Sequence, residues 1–287
     1  MHSINVQGDM LDVYVRLRPG AQSTIVFFNG AVRQEVRDAG VFPIFSGIHV
    51  SWGINCNVVC FDDPSLRRSP DVGLAWYVGS EGFDLAPVCA KVIRHLAGVL
   101  GSKRIILFGG SNGGFAALNI GRMIPGAATF CINPQTDIGQ YGESATTAFA
   151  RACFAARNFP AISAEARRGH RMNLCEGFLL PEENFVFYVQ NYSDRHLQSH
   201  ALPFIEAAFG KQSGIGEPGL HLLDPRFLFF VGDWGEGHAP PPKPFIKSLL
   251  SVLAVEGNSM RGAFENLRRR IGQDLCSPNP LGTPGHN

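Results

Sequence analysis

Charge is scarce in this sequence and nearly balanced. Only 17% of the 287 residues are Asp, Glu, Lys or Arg, and the 25 cations and 24 anions leave a formal net charge of +1. Nothing in that balance draws a nucleic acid, which needs a basic stripe or patch. Long apolar runs are missing too: none approaches the roughly 18 residues that span a bilayer. The first nine residues carry neither a basic n-region nor an apolar h-region. The seven cysteines are an odd number and none has C-x-x-C spacing, which leaves no zinc knuckle and no redox pair. Cys56, Cys60, Cys89 and Cys131 instead lie in apolar segments, the ordinary place for buried free thiols. There is no H-E-x-x-H helix, and no Lys-Ser or Lys-Thr pair follows the glycines of a phosphate loop. The expectation is a reduced, soluble, cytoplasmic protein with no metal, no cofactor, no nucleic-acid partner and no membrane span.

Apolar residues, at 45% of the chain, suffice for a large buried core. The pattern predicts one α/β domain over residues 1–275, with the Pro-, Gly- and Asn-containing stretch 276–287 as a disordered tail. Short apolar runs read as strands at 3–7, 10–17, 24–28, 57–61, 104–108, 128–132, 185–189 and 226–231. Helical spacing of Val88, Val92, Ile93, Leu96, Val99 and Leu100 places a helix over 84–100, with further helices at 201–210, 245–255 and 258–271. Residues 138–181 break the strand–helix rhythm with Ala- and Arg-rich short helices. They are expected to form a small helical cap insertion that excludes water, with arginines forming either a solvated face or a clamp for an acidic group.

The densest chemical signal is Arg104-Ile105-Ile106-Leu107-Phe108-Gly109-Gly110-Ser111-Asn112-Gly113-Gly114-Phe115. A strand ends in G-x-S-x-G and runs into a helix, the arrangement of a nucleophile elbow. Glycine two residues either side of Ser111 removes side chains that so tight a bend would force together. The hydroxyl then sits over a helix N-terminus, whose free N–H groups favour developing negative charge. After the strand at 24–28, Asn29-Gly30-Ala31 offers a second backbone donor. The expected oxyanion hole is the Asn112 N–H with an N–H of Gly30 or Ala31.

A serine needs a base, and the base needs a group that holds its tautomer. In chain order these should follow as acid and then histidine. Asp194 comes after the strand at 185–189. His238 comes after the last strand, between Gly237 and the run Ala239-Pro240-Pro241-Pro242. Asp233, in the loop of His238, and Asp224 compete for the acid; His196 and His200 compete for the base. Asp63 ends a strand on the same rim, although Asp before Pro also starts turns.

In strand order and in the order of these residues, the chain resembles the α/β-hydrolase superfamily across about residues 20–255. More narrowly, Asp62-Asp63-Pro64-Ser65-Leu66, Ala75-Trp76-Tyr77, Asn133-Pro134-Gln135-Thr136-Asp137, Gln190-Asn191 with Asp194 and His196, and Gly237-His238 are similar to hydrolase-like proteins of bacterial surface-polysaccharide loci. These are related to the glycan O-acetyltransferase-like component of the accessory Sec system. The resemblance implies a mostly parallel central sheet flanked by helices, and carries catalytic roles onto Ser111, Asp194 and His238. It implies a small-molecule or carbohydrate acyl ester as substrate. It also implies a serine hydrolase or, with the same residues, an acyltransferase; a non-catalytic scaffold on that fold is the reading of another class.

Overall fold

A computed structural model describes residues 1–6, 8–255, 257 and 259–275. The stretch 276–287, expected as a tail, lies outside the described residues. In chain order the strands are β1 (His2–Val6), β2 (Asp9–Arg16), β3 (Ser23–Phe28), β4 (Asn57–Phe61), β5 (Gly79–Ser80), β6 (Phe83–Asp84), β7 (Arg104–Gly110), β8 (Ala128–Ile132), β9 (Phe185–Asn191), β10 (Gly219–Asp224) and β11 (Phe227–Gly232). The helices are α1 (Gln34–Asp38), α2 (Leu85–Val99), α3 (Asn112–Gly121), α4 (Glu143–Phe154), α5 (Ala164–Gly169), α6 (Leu202–Phe209), α7 (Lys243–Val255) and α8 (Met260–Leu275).

Among the described residues, nine strands form one sheet in the order β1-β2-β4-β3-β7-β8-β9-β11-β10, and β5 pairs with β6 apart from it. The six central strands, from β4 to β11, run parallel. The antiparallel pairs sit at the two edges, β1 and β2 at one and β10 at the other. Alternation along each central strand explains the layers, since successive side chains point to opposite faces. Ile25 and Phe27 of β3, Phe130 of β8 and Phe187 of β9 pack under α7 and α8. Val26 and Phe28 face α2 and α3 instead. Tyr188 of β9 and Phe229 of β11 face the layer built from residues 138–181 and α6.

Burial on both faces is why the central strands read as unbroken apolar runs. β10 was not legible as a strand. It is a half-exposed edge with His221 in its middle and a register shift between Leu222 and Asp224, so it carries neither alternation nor a continuous run.

The segment 138–181 does form short helices, but none of its residues lines the cavity at Ser111. Phe149, Phe154 and Phe159 are buried against the sheet layer, so burial of these rings keeps the segment on one face. Its arginines do not form a clamp over that cavity. Arg167 lies over the Phe159 ring and donates to the Ile162 carbonyl, while Arg151 donates to the Arg157 carbonyl. The parallel strands all deliver their C-terminal ends to one rim. Ser111, Asn133, Asp194 and the loop of His238 follow β7, β8, β9 and β11 there, the crevice side of an open parallel sheet.

Candidate active site

Ser111 sits at φ 56°, ψ −121°, between the end of β7 and the first turn of α3. A non-glycine residue in that region is strained, and the surroundings hold it there. The Ser111 N–H donates to the Ile132 carbonyl at 2.9 Å, and its own carbonyl accepts from the N–H groups of Gly114 and Phe115. The flanking glycines are required by backbone, not by side chains. A Cβ on Gly109 would fall 2.1 Å from the Gly113 carbonyl oxygen, and one on Gly113 would fall 2.6 Å from the carbonyl oxygens of Phe28 and Asn29. As the first residue of α3, Asn112 has an N–H with no intrahelical acceptor. Of the two candidates for the second donor, Gly30 lines the cavity beside Ser111, whereas Ala31 faces solvent.

His238 and Asp194 meet: Nδ1 lies 2.5 Å from Oδ2. The Asp194 side chain is 1% exposed and that of His238 is 44% exposed, so a buried carboxylate holds an imidazole that still reaches the cavity. Burial pushes the Asp194 carboxyl upward, but the hydrogen bond from His238, the His196 N–H at 2.9 Å and the two imidazoles outweigh it and hold the group below its ordinary value. Asp233 turns away and accepts from the Gly235 N–H in its own exposed loop. Asp224 pairs with Arg226. Asp63 is buried and accepts from the N–H groups of Ser65 and Tyr77, a structural use.

The other two histidines lie behind the dyad. His196 packs edge-on against both His238 and His200, at centroid distances of 4.6 and 4.7 Å. Burial lowers the pKa of His196 and takes His200 down to about 3. His200 Nδ1 accepts from the Thr136 N–H, which fits a neutral ring. Neither lines the cavity at Ser111. Asp194, His196 and His238 present ligand atoms within 4.8 Å of one another. However, 2.5 Å between His238 and Asp194 is a hydrogen-bond distance. Two ligands on one tetrahedral zinc, with bonds of ~2.0–2.1 Å, stand about 3.3 Å apart.

Ser111 and His238 line one cavity of ≈ 930 Å³. Among the described residues no hydrogen bond joins their side chains; the Ser111 Oγ accepts instead from Gln135 Nε2 at 2.7 Å. Such contacts are often looser before substrate binds. Most of the remaining wall is apolar, with Phe45, Ile48, Val50, Phe108, Ile132 and Ile246, and Ser46, His49 and Asn133 add polar atoms to it. Lys243 and Lys247, one helical turn apart on α7, stand at its edge, and neither has a hydrogen-bond or ion-pair partner among the described residues.

Three amides that sequence reasoning assigned no role build this arrangement. Asn191 Nδ2 donates to the carbonyls of Gly235 and Gly237, at 2.8 and 2.7 Å, and its Oδ1 accepts from the Trp234 N–H. Asn133 Nδ2 donates to the Ala239 carbonyl at 3.0 Å. The loop of His238 is thus clasped on both sides of the histidine. The third amide, Gln135, touches Ser111 itself. Two sequence signals pointed to them: they stand within the motifs that carry the narrower resemblance, and they follow β8 and end β9, on the same rim as the serine.

No protein-family model matches the sequence, and no curated protein does. Solved structures do match. The capsule O-acetyltransferase of Neisseria meningitidis serogroup A aligns at TM-score 0.54 and 13% identity, over 96% of this chain and 97% of its own. A variant of it in complex with CoA aligns at TM-score 0.50 and 13% identity, over 94% and 96%. The glycosylation-associated Gap123 complex of Streptococcus agalactiae aligns at TM-score 0.60 and 14% identity, over 98% of this chain but 47% of the other, so this chain spans about half of that one. An esterase from Staphylococcus aureus aligns at TM-score 0.51 and 12% identity, over 90% and 83%. The fold is that of an α/β hydrolase. Within it, Ser111 stands on the glycine-flanked turn between β7 and α3, and His238 on the loop after the last parallel strand. Among the described residues no helix is long and apolar enough to cross a membrane.

Proposed function

We propose that this protein is an acyl-transfer enzyme that works through an acyl-enzyme on Ser111. The observation that carries the reading is the His238–Asp194 hydrogen bond at 2.5 Å, made by a histidine that lines the same cavity as the elbow serine. Ser111 Oγ attacks the carbonyl carbon of an ester as His238 Nε2 takes its proton. Asp194 holds the proton of Nδ1 and stabilises the imidazolium. The N–H groups of Asn112 and Gly30 receive the oxyanion, each such donor being worth roughly 3 kcal/mol. The intermediate collapses, the leaving oxygen takes the proton from His238, and an ester remains on Ser111. Water then resolves it, and the enzyme is a serine hydrolase. A fluorophosphonate probe tests this reading. Wild-type protein should label stoichiometrically and Ser111→Ala should not. Equal labelling of the two, or none of wild type, would remove Ser111 as nucleophile and revive the scaffold reading.

A second reading replaces water with an alcohol acceptor. It is favoured by the likeness to a capsule O-acetyltransferase along nearly the whole of both chains. It is favoured also by the two lysines that line the cavity without an ion-pair partner among the described residues, which suit an acyl donor with an anionic tail, such as the thioester of CoA. Acetyl-CoA turnover separates the readings. For a transferase, adding an oligosaccharide acceptor raises CoA release about tenfold or more, and Lys243→Ala/Lys247→Ala raises KM for acetyl-CoA while leaving hydrolysis of a neutral acetyl ester unchanged. A hydrolase shows neither response.

A further inference from the structure

Gln135 is fully buried, and its amide has two neighbours of different kinds. Its Oε1 accepts from Trp76 Nε1 at 3.1 Å, and its Nε2 stands 2.7 Å from Ser111 Oγ. An indole nitrogen can only donate. Trp76 therefore fixes which end of the amide is which: the oxygen must face the indole, and the NH₂ must face the serine. Trp76 is itself held at a cost. It and Tyr77 are consecutive non-glycine residues with positive φ, 55° and 56°, a conformation that side-chain-bearing residues rarely adopt and that the surroundings must hold. The buried Asp63 carboxylate pins the pair by accepting from the Tyr77 N–H at 2.9 Å. A chain of contacts thus runs from Asp63 through Trp76 to Gln135, and it ends on the reacting oxygen.

We propose that Gln135 is a catalytic residue that acts mainly in deacylation, by donating a hydrogen bond to Ser111 Oγ as the acyl group leaves it. The proposal rests on the acyl-enzyme reading above. Only an interaction that is stronger in the transition state than in the ground state accelerates a step. In the free enzyme Oγ is a hydroxyl oxygen and already accepts the bond well, so acylation gains little from it. In the acyl-enzyme Oγ is the bridging oxygen of an ester, a poor acceptor. Deacylation begins when water or an acceptor hydroxyl adds to the carbonyl carbon and His238 Nε2 takes its proton. The carbon–Oγ bond then breaks, its electron pair stays on Oγ, and Oγ takes the proton back from the imidazolium. Charge on Oγ rises during that cleavage, and the Nε2–H bond strengthens with it. Gln135 thereby makes Ser111 a better leaving group in the half-reaction that frees the enzyme.

The test follows the acetyl-enzyme directly. Protein is acetylated with p-nitrophenyl acetate, the ester is removed, and loss of the acetyl adduct is timed by intact mass. In Gln135→Met, which keeps the bulk and lacks the donor, decay should slow about 10- to 100-fold while release of p-nitrophenol in the acylation phase falls less than about threefold. That range is at or below the effect of deleting one oxyanion donor. Trp76→Phe, which frees the amide to flip, should slow decay by a smaller factor in the same direction, and it serves if Gln135→Met does not fold. Unchanged decay in the folded variants, or equal losses in both phases, would overturn the proposal with Ser111 still the nucleophile. Absence of a fluorophosphonate adduct on wild type is the separate result that would remove the acyl-enzyme and this role together.

Discussion

Asp194→Asn is expected to lower kcat about 10⁴-fold without unfolding the protein. The reason lies in which atoms the carboxylate serves. Oδ1 accepts from the His196 N–H and Oδ2 meets His238 Nδ1. A backbone N–H can only donate, so in the variant the amide oxygen must turn toward His196. The NH₂ group then faces His238, and Nδ1 has to become the acceptor. The imidazole proton moves to Nε2, where it blocks the nitrogen that should take the proton of Ser111. Acetyl-ester turnover and the rate of fluorophosphonate labelling should fall together. Asp233→Asn, in an exposed loop turn, should leave both unchanged. Retention of a tenth of the activity by Asp194→Asn would show that Asp194 does not set the tautomer.

Acid should destabilise this protein steeply, and His200 should account for much of the slope. Burial and the neighbouring His196 lower its pKa from 6.5 to about 3. The folded state therefore binds fewer protons than the unfolded state between those values, and stability rises with pH across that window. The contribution is complete above pH 6.5 and is lost as pH falls toward 3. A tenfold difference in proton affinity between the two states is worth about 1.4 kcal/mol, so roughly 3 kcal/mol is gone by pH 4.5 and about 4–5 kcal/mol at the lower limit. The lowered pKa of His196 acts with the same sign. In His200→Asn the side-chain oxygen can still accept from the Thr136 N–H, but nothing at that position titrates. Urea titrations should find the variant less stable at pH 7 and its loss between pH 7 and 4.5 smaller by about 3 kcal/mol. Parallel stability curves for the two proteins would exclude His200 as the source.

The sequence made legible whatever is local or follows from strand order. The elbow is a matter of five consecutive residues, and its glycines are needed because backbone carbonyls stand where their Cβ atoms would be. Asp194 and His238 follow from counting strands that are buried on both faces. What escaped is long-range or carried by uncharged groups. Gln135 reaches across 24 residues of chain and Asn133 across 106, and the motif that holds them does not say which partners their amides will meet. The cavity wall from Phe45 to Val50 lies in a segment between β3 and β4 with no strand or helix pattern. A set of aromatic and aliphatic residues without periodicity does not say which surface it will cover. Helical segments after β8 were legible, but not that Phe149, Phe154 and Phe159 would be buried against the sheet layer.

The clasp by Asn191 makes the loop of His238 a replaceable part. Its amide grips the carbonyls of Gly235 and Gly237 and ignores every side chain between them. Substitutions at the exposed positions 233 and 236 would leave those two carbonyls, and with them the histidine, where they are. The surface beside the site can therefore change in charge and shape while the imidazole keeps its place at the cavity.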